Sequence, residues 1–263
     1  MISKKLPDEK EAKQEVVQGS IGKAIKKPEL EKVAFDRESW QPITSTGKKV
    51  KNSEIKSIDE ILDNGIRIME SEIIDCLLPN LELDILWIGQ SKGKFGGGKK
   101  SIWRQTQKKT PEGNKPSFAT VIVMGNRDGY VGMGFGKAKE TVPAREKAIK
   151  KAKLNIIKIK RGCGSWACSC GLPHSIPFKV KGKCGSVETE LIPAPRGTNL
   201  CVEKECKRIL ALAGIKDIYS RTFGHAGTKL NHVKACIDAL KKLSETKIPE
   251  QYISKAGIIE GKH

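Results

Sequence analysis

The feature that most constrains the fold is a β-hairpin pattern followed at once by a helix pattern. Residues 118–124 and 130–135 are rich in β-branched and aromatic side chains, and the segment between them, GNRDG, has the composition of a turn. A helix is predicted from Thr141 to Lys153, with Pro143 accommodated in its first turn. This order predicts an α+β unit in which a helix packs on an antiparallel sheet.

Basic side chains greatly outnumber acidic side chains in this sequence. Its 263 residues contain 49 basic and 30 acidic side chains, a net charge of +19, which indicates a polyanionic partner. Residues 137–161 hold ten basic residues against Glu140 and Glu146, whereas solvated helices usually alternate signs. We therefore predict that this helical segment presents a binding face. No uncharged apolar run of about 18 residues is present, so a membrane partner is not expected.

Two glycine-containing segments flank this pattern. Residues 90–115 are rich in Gly and Lys and are predicted to form a long loop that approaches RNA. Gly132, Gly134 and Gly136 precede Lys137, but the Ser or Thr of a phosphate-binding P-loop is missing after the lysine. We expect these glycines to leave a strand without side chains, so that its backbone can approach the phosphates of a partner closely.

The rest of the chain divides by pattern. Residues 1–40 lack sustained periodicity and are predicted to be an extended or disordered arm, and 41–82 are predicted to be helical, with a capping box at Ser57–Glu60. A second α/β unit is expected over residues 154–246, opened by a strand at 154–160. Its further elements are strands at 176–180, 186–192 and 218–223 and helices at 202–213 and 231–243. The tail, 247–263, shows no interpretable pattern.

A cysteine-rich segment at 162–184 supplies metal-ligand chemistry. Cys163, Cys168, Cys170 and His174 offer the donors of a tetrahedral zinc site, with Cys184 as a substitute. The spacing differs from paired CxxC knuckles, and a buried thiol cluster is the alternative, so no cofactor is certain and structural zinc is possible. The N-terminus lacks a secretory signal, so we expect a reducing cytoplasm and no disulfides.

Several motifs together resemble one family, the universal small-subunit ribosomal protein S-five. They are GNRDGYVGMGFGKAKE, AIKKAKLNIIKIKRG, PHSIPFKVKGKCGSV, LIPAPRGT, LALAGIKDIYSRTFG and HVKACIDAL. The upstream VKNSEIKSIDEI and IMESEIIDCLLP resemble its archaeal and eukaryotic branch, and RGCGSWACSCG looks archaeal. The resemblance extends over about residues 40–243.

The resemblance implies a fold and a role. It implies a double-stranded-RNA-binding-like domain over 83–153 and the family's two-layer α/β domain over 154–246. It also implies a non-catalytic constituent of the cytoplasmic ribosome that binds small-subunit RNA near the messenger entry channel and the decoding region. Messenger RNA is expected nearby, ribosomal proteins S-four and S-eight as neighbours, and translational accuracy and subunit assembly as the processes supported.

The residues expected to contact RNA combine this resemblance with the basic pattern. They are Arg104, Gln105, Lys108, Lys109, Arg127, Gly132, Gly134, Gly136, Lys137, Lys139, Lys147, Lys150, Lys151, Lys160, Arg161 and Arg196. Few aromatic side chains are available to stack on bases, so recognition is expected to rest on phosphate and RNA shape.

Two other functions fit parts of the sequence. A zinc-dependent RNA-modifying enzyme built on residues 163–184 would need a nearby general base, and no Asp or Glu lies between Gly162 and Ser186. A free-standing double-stranded-RNA binder would share the basic face. It would not co-sediment stoichiometrically with small subunits after a high-salt wash.

Overall fold

The computed structural model describes residues 37–91 and 100–261. The predicted arm therefore lies almost wholly outside the described residues, as does the glycine-rich part of the predicted loop. The helical segment that follows comprises α1 (Ser45–Lys51), α2 (Ile58–Asp63) and α3 (Glu72–Leu77). The predicted capping box is present at the start of α2: the Ser57 hydroxyl accepts from the backbone N–H of Glu60, and the Glu60 carboxylate accepts from that of Ser57.

The first sheet is antiparallel and is built around a long central strand. Its strands are β1 (Glu82–Ile85), β2 (Arg104–Thr110), β3 (Gly113–Gly125), β4 (Tyr130–Ala138) and β5 (Ile156–Lys158). β3 pairs with β4 along one edge and with both β1 and β2 along the other, and β5 pairs with β4. The predicted hairpin and the α+β class are thus confirmed.

Helix α4 (Thr141–Leu154) lies against β4 in direct contact. Its buried side chains, Ala144, Ala148 and Ala152, repeat every four residues and are small. A Cβ placed on Gly134 or Gly136 would lie 1.9 Å from the carbonyl oxygen of Ala148 or Ala144, respectively. The glycine run of β4 therefore serves close packing of the helix backbone on the strand.

Two sequence predictions in this region are wrong. Residues 104–110 are a strand paired with 113–119, where a loop was expected, because a ribbon that is polar on both faces lacks the alternation that indicates a strand. The strand near residue 156 does not open a second unit; it pairs with Tyr130–Gly132 and completes the first sheet.

The second sheet is mixed and follows a stretch of irregular backbone. It runs in the order β7 (Val180–Cys184), β8 (Val187–Pro193), β10 (Ile218–Phe223) and β9 (Leu200–Cys201), with β9 and β10 parallel. The strand predicted at 176–180 thus begins only at its last residue. Helices α5 (Lys204–Leu212) and α6 (Lys229–Glu245) complete this part, close to their predicted positions.

The two sheets share one hydrophobic core. Val121, Val123 and Val131 of the first sheet join the same buried cluster as residues of α5, α6 and the second sheet. The β3–β4 turn is also bonded to the end of α5, since the N–H groups of Arg127 and Gly129 donate to the carbonyls of Leu212 and Ala213. Through these contacts α5 holds the first sheet in a fixed place beside the second.

The C-terminal tail has regular structure that the sequence did not indicate. Helix α7 (Glu250–Ala256) ends at Gly257 in the left-handed conformation, and β11 (Ile259–Glu260) then pairs with β6 (Lys160–Arg161). The C-terminal tail therefore packs against the segment around residue 160. Among the described helices, none has the length and apolar character needed to cross a bilayer.

Candidate RNA-binding surface and cysteine cluster

The β2–β3 hairpin, residues 104–119, forms a ribbon that extends past the rest of the first sheet. β4 pairs with β3 only from Phe118 onward, so residues 113–117 have β2 as their sole described strand partner. Arg104 through Lys109 are all exposed. A two-stranded ribbon is only marginally stable alone in water, so this segment is suited to being completed by a binding partner.

The register of the ribbon sorts its cations onto two faces. Arg104 and Lys137 both lie opposite Ala119, and Lys108 lies opposite Lys115. Because side chains alternate along a strand, these four basic residues share one side of the sheet, which we call the ribbon face. Gln105 and Lys109 point to the other side. Lys108 and Lys115 are like charges directly across the ladder, and the Glu112 carboxylate lies 3.0 Å from the Lys115 ammonium in an exposed, exchangeable ion pair.

A second basic surface is the outer side of α4. Lys147, Lys150 and Lys151 are exposed there, on the part of the helix that the sheet does not cover, and we call these three the helix face. Within residues 37–91 and 100–261, no carboxylate forms an ion pair with any of them. Lys139, in the turn before α4, is likewise exposed.

The cations of residues 137–161 do not all lie on one surface, since the sheet separates Lys137 from those of α4. α4 covers the side of β4 that carries Gly132, Gly134 and Gly136, whereas Lys137 points to the other side. The structure thus has two basic surfaces, the ribbon face and the helix face, on opposite sides of one sheet.

Five of the residues predicted to contact RNA are used inside the fold instead. Gly132, Gly134 and Gly136 are buried beneath α4. Arg161 is buried and donates to the carbonyl of Gly261 at 3.0 Å, and burial lowers the pKa of its guanidinium. The Lys160 ammonium binds the Glu260 carboxylate at 3.0 Å and the Thr246 carbonyl at 2.8 Å. These two cations hold the tail in place.

The two remaining predicted arginines are exposed. Arg127 adopts a left-handed backbone conformation in the β3–β4 turn, and its guanidinium binds the Glu82 carboxylate at 2.7 Å. Arg196 lies in the turn closed by the N–H of Thr198 donating to the carbonyl of Pro195. Both positions are accessible to a partner, and an exposed ion pair such as that of Arg127 is weak enough to exchange.

The cysteine-rich segment gathers four metal-binding donors. The Sγ atoms of Cys163, Cys168 and Cys170 and a ring nitrogen of His174 all lie within 4.8 Å of one another. Cys184 lies at the end of β7, opposite Val187, and outside this group. The predicted set is therefore brought together, and the prediction of Cys184 as a substitute is wrong.

Neighbouring groups hold the His174 ring in one orientation and lower the pKa of the Cys168 thiol. Nδ1 of the buried His174 bonds to Oδ2 of the buried Asp217 at 3.0 Å, while Nε2 lies 3.8 Å from the Sγ of Cys168. The backbone N–H groups of Arg196 and Cys170 lower the pKa of the Cys168 thiol to about 6, and burial raises the pKa of Cys163. Asp217 is 43 residues away from His174, so no local pattern could have revealed it.

Two further features escaped the sequence reasoning. Lys115 completes the ribbon face, and it was missed because its segment was taken for a loop. Glu203, Cys206 and His232 form a second group of potential ligands beside a cleft of about 590 Å³, from elements too far apart in sequence to suggest a motif.

Comparisons with known proteins agree with this geometry. Residues 102–160 match the family described as Ribosomal protein S5, N-terminal domain, and residues 182–252 match Ribosomal protein S5, C-terminal domain. The matched segments carry the ribbon with α4 and the second sheet with α6, respectively.

Relatives from archaea extend the match over most of the chain. The small ribosomal subunit protein uS5 of Nanoarchaeum equitans is 50% identical over 224 residues, which cover 85% of this chain and 96% of that protein. That of Methanocaldococcus jannaschii is 46% identical over 228 residues, or 87% and 98% of the two chains. The family is structural and not enzymatic, which confirms that expectation. The chain therefore belongs to the small ribosomal subunit protein uS5 family, in its archaeal form.

Proposed function

We propose that this chain is a structural constituent of the small ribosomal subunit and that it binds ribosomal RNA through the ribbon face and the helix face. The observation that carries the proposal is the helix face: three adjacent exposed lysines without a described carboxylate partner, on a helix that is packed rigidly on its sheet. Such a surface repels itself until a polyanion neutralises it.

The binding mechanism follows from these two surfaces. Lysine and arginine side chains that meet phosphates release the counterions condensed on RNA, and this release supplies most of the affinity. The shared core holds the helix face in one orientation, which adds shape selection to charge. The ribbon can reach away from the core, so Arg104, Lys108 and Lys115 are positioned to enter a groove or a junction between RNA helices.

The location within the subunit rests on the family. Membership supports a site on the cytoplasmic ribosome near the messenger entry channel and the decoding region, with ribosomal proteins S-four and S-eight as neighbours. We propose that the ribbon contributes to translational accuracy there and that the helix face contributes to assembly. Removal of the ribbon charges should then raise misreading in cells while subunit levels remain normal.

Co-sedimentation with small subunits tests the function. A full-length variant with Lys147, Lys150 and Lys151 changed to Ala should be lost from subunits during a high-salt wash that retains the wild-type chain. The control changes Lys181 and Lys183 to Ala, since these exposed lysines are already paired with Glu190 and Glu188. Equal retention of both variants would contradict the proposal, and loss of the wild type itself would favour the free-standing binder.

A further inference from the structure

The cysteine loop, residues 162–179, has its apolar anchors at its C-terminal end, where Ile176 is fully buried and Phe178 packs against the core. Beyond one bridge between Gly162 and Ser175, it contains no helix or strand. Between Cys163 and His174 its large apolar residues point outward: Trp166 is 99% exposed and Leu172 is 46% exposed. Its inward side chains include Cys163 and His174, which are 8% and 6% exposed. Burial of apolar surface is therefore not what holds residues 163–174 together.

The geometry of the four donors, of which Cys163 and His174 are buried and Cys170 is exposed, suits a single ion. Zinc–sulfur bonds of about 2.3 Å and a zinc–nitrogen bond of about 2.0 Å in a tetrahedron place neighbouring ligand atoms roughly 3.5–3.8 Å apart. The Cys168 Sγ to His174 Nε2 distance is already 3.8 Å, and all four donor atoms lie within 4.8 Å of one another. An iron–sulfur cluster spreads its ligands around a core of several atoms, so this close grouping fits one ion better.

A hydrogen bond to the ring nitrogen that faces away from the thiols orients His174 for metal binding. Asp217 accepts a hydrogen bond from Nδ1 of His174, which leaves the lone pair of Nε2 directed toward the thiols. Asp217 is itself held, because its Oδ1 accepts from the N–H of Asn199 at 2.8 Å and its own N–H donates to the carbonyl of His174. This is the carboxylate–histidine pair that commonly supports a metal ligand in proteins.

We infer that Cys163, Cys168, Cys170 and His174 bind one structural Zn²⁺ ion, with Asp217 as the positioning residue of His174. Four protein ligands close the coordination sphere, so the site is structural and offers no open position for catalysis. The inference stands on these donors alone and is independent of the proposed RNA binding.

The site would join three separate parts of the chain. The N–H of Cys163 donates to the carbonyl of Ala256 at the end of α7, which ties in the tail. The N–H of Ala194 donates to the hydroxyl of Ser175, which ties in the segment that leads to Arg196. Zinc would therefore hold the tail and the Arg196 turn on the cysteine loop, and its removal should loosen these parts before the core unfolds.

Metal analysis of the full-length protein tests the inference. The chain, purified under reducing conditions from zinc-replete cells, should contain one equivalent of zinc. Cobalt exchanged into the protein should give the visible absorption of a tetrahedral thiolate site. A folded protein without metal, with iron in place of zinc, or with a disulfide among these cysteines would overturn it.

Variants separate the ligands from their neighbours. Cys163→Ser and Cys170→Ser should lose the zinc, whereas Cys184→Ser and Cys201→Ser, which change cysteines outside the cluster, should keep a full equivalent. Asp217→Asn keeps every ligand and should weaken zinc affinity by about 10- to 100-fold. Unchanged affinity in Asp217→Asn would refute its positioning role, and zinc loss in Cys184→Ser would refute the ligand set.

Discussion

Helix α4 and strand β7 carry their lysines in opposite ways on the same kind of scaffold. Both belong to a helix–sheet pair in which glycine permits close packing: Gly134 lies beneath α4, and Gly182 of β7 lies beneath α6. The lysines of β7, Lys181 and Lys183, are paired with Glu190 and Glu188, whereas Lys147, Lys150 and Lys151 of α4 have no described carboxylate partner. The fold neutralises the first group internally, and it leaves the second for an external anion.

The largest expected effect tests the scaffold that the two regions share. Gly134→Val would bring a Cβ to 1.9 Å from the carbonyl oxygen of Ala148, and Gly182→Val would bring one to 2.0 Å from that of Ala235. The clashing atoms belong to helix backbone, which can move only if the helix shifts away from the sheet. Each change should therefore lower the free energy of unfolding, measured with urea, by about 3 kcal/mol or more.

The control for this prediction is Gly227→Val. A Cβ there meets only the ring of His225, at 3.9 Å, and should change stability by less than about 0.5 kcal/mol. If Gly134→Val were as mild as this control, close packing would not explain the glycine run.

The next effect concerns the ribbon, where Lys115 is in an exposed ion pair with Glu112, and Arg104 and Lys108 have no described carboxylate partner. Changing Arg104, Lys108 and Lys115 to Ala should weaken binding to small-subunit RNA roughly 10- to 100-fold at physiological salt, because three potential phosphate contacts are lost. The thermal midpoint should remain unchanged, since these side chains are exposed. Filter binding and thermal unfolding give the two values. A fall in stability without a fall in affinity would make the ribbon a structural element.

A smaller effect concerns the ion pair between Lys229 and Glu203. Burial alone would raise the pKa of Glu203, but the hydrogen bond and charge of Lys229, with the N–H of Glu205, lower it. A lowered folded-state pKa adds stability above the ordinary Glu pKa of about 4.3, and this is lost as pH falls through the folded value.

Glu203→Gln should therefore be less stable than the wild type by roughly 0.5–1 kcal/mol at pH 7, after allowance for solvent screening. The difference should shrink as the pH falls below about 4. Urea unfolding at several pH values measures it. A difference that is independent of pH would show that the charge of Glu203 does not contribute.

The smallest effect is on the stability of the α4 variant. Lys147 lies one helical turn from both Lys150 and Lys151, so these like charges repel each other in the free protein. Changing all three to Ala should leave the free energy of unfolding within about 0.5 kcal/mol of the wild type, or raise it slightly. A loss above 1 kcal/mol would mean that these lysines support the fold.

The sequence predicts the elements that have a strong local period. The β3–β4 hairpin, α4 and the helices of the second unit lie close to their predicted positions, because alternation and helical spacing report burial directly. The ribbon was missed since both its faces are polar, and the tail was missed since β11 is held by a partner strand about 100 residues away.

The candidate sites were predictable only where the functional residues lie close together in the sequence. Cys163, Cys168, Cys170 and His174 lie within twelve residues and could be grouped by donor type. The roles of Arg161 and Gly134 depend on what packs against them, the carbonyl of Gly261 and the backbone of α4. No pattern within the sequence separates a cation used for folding from one left for RNA.

The salt dependence of RNA binding tests the central claim most directly. The logarithm of the binding constant falls with the logarithm of salt concentration, by about 0.7–0.9 for each phosphate contact. Changing Lys147, Lys150 and Lys151 to Ala should reduce this slope by about 2–3, whereas changing Lys181 and Lys183 should leave it unchanged. Equal slopes for the wild type and the α4 variant would contradict the account.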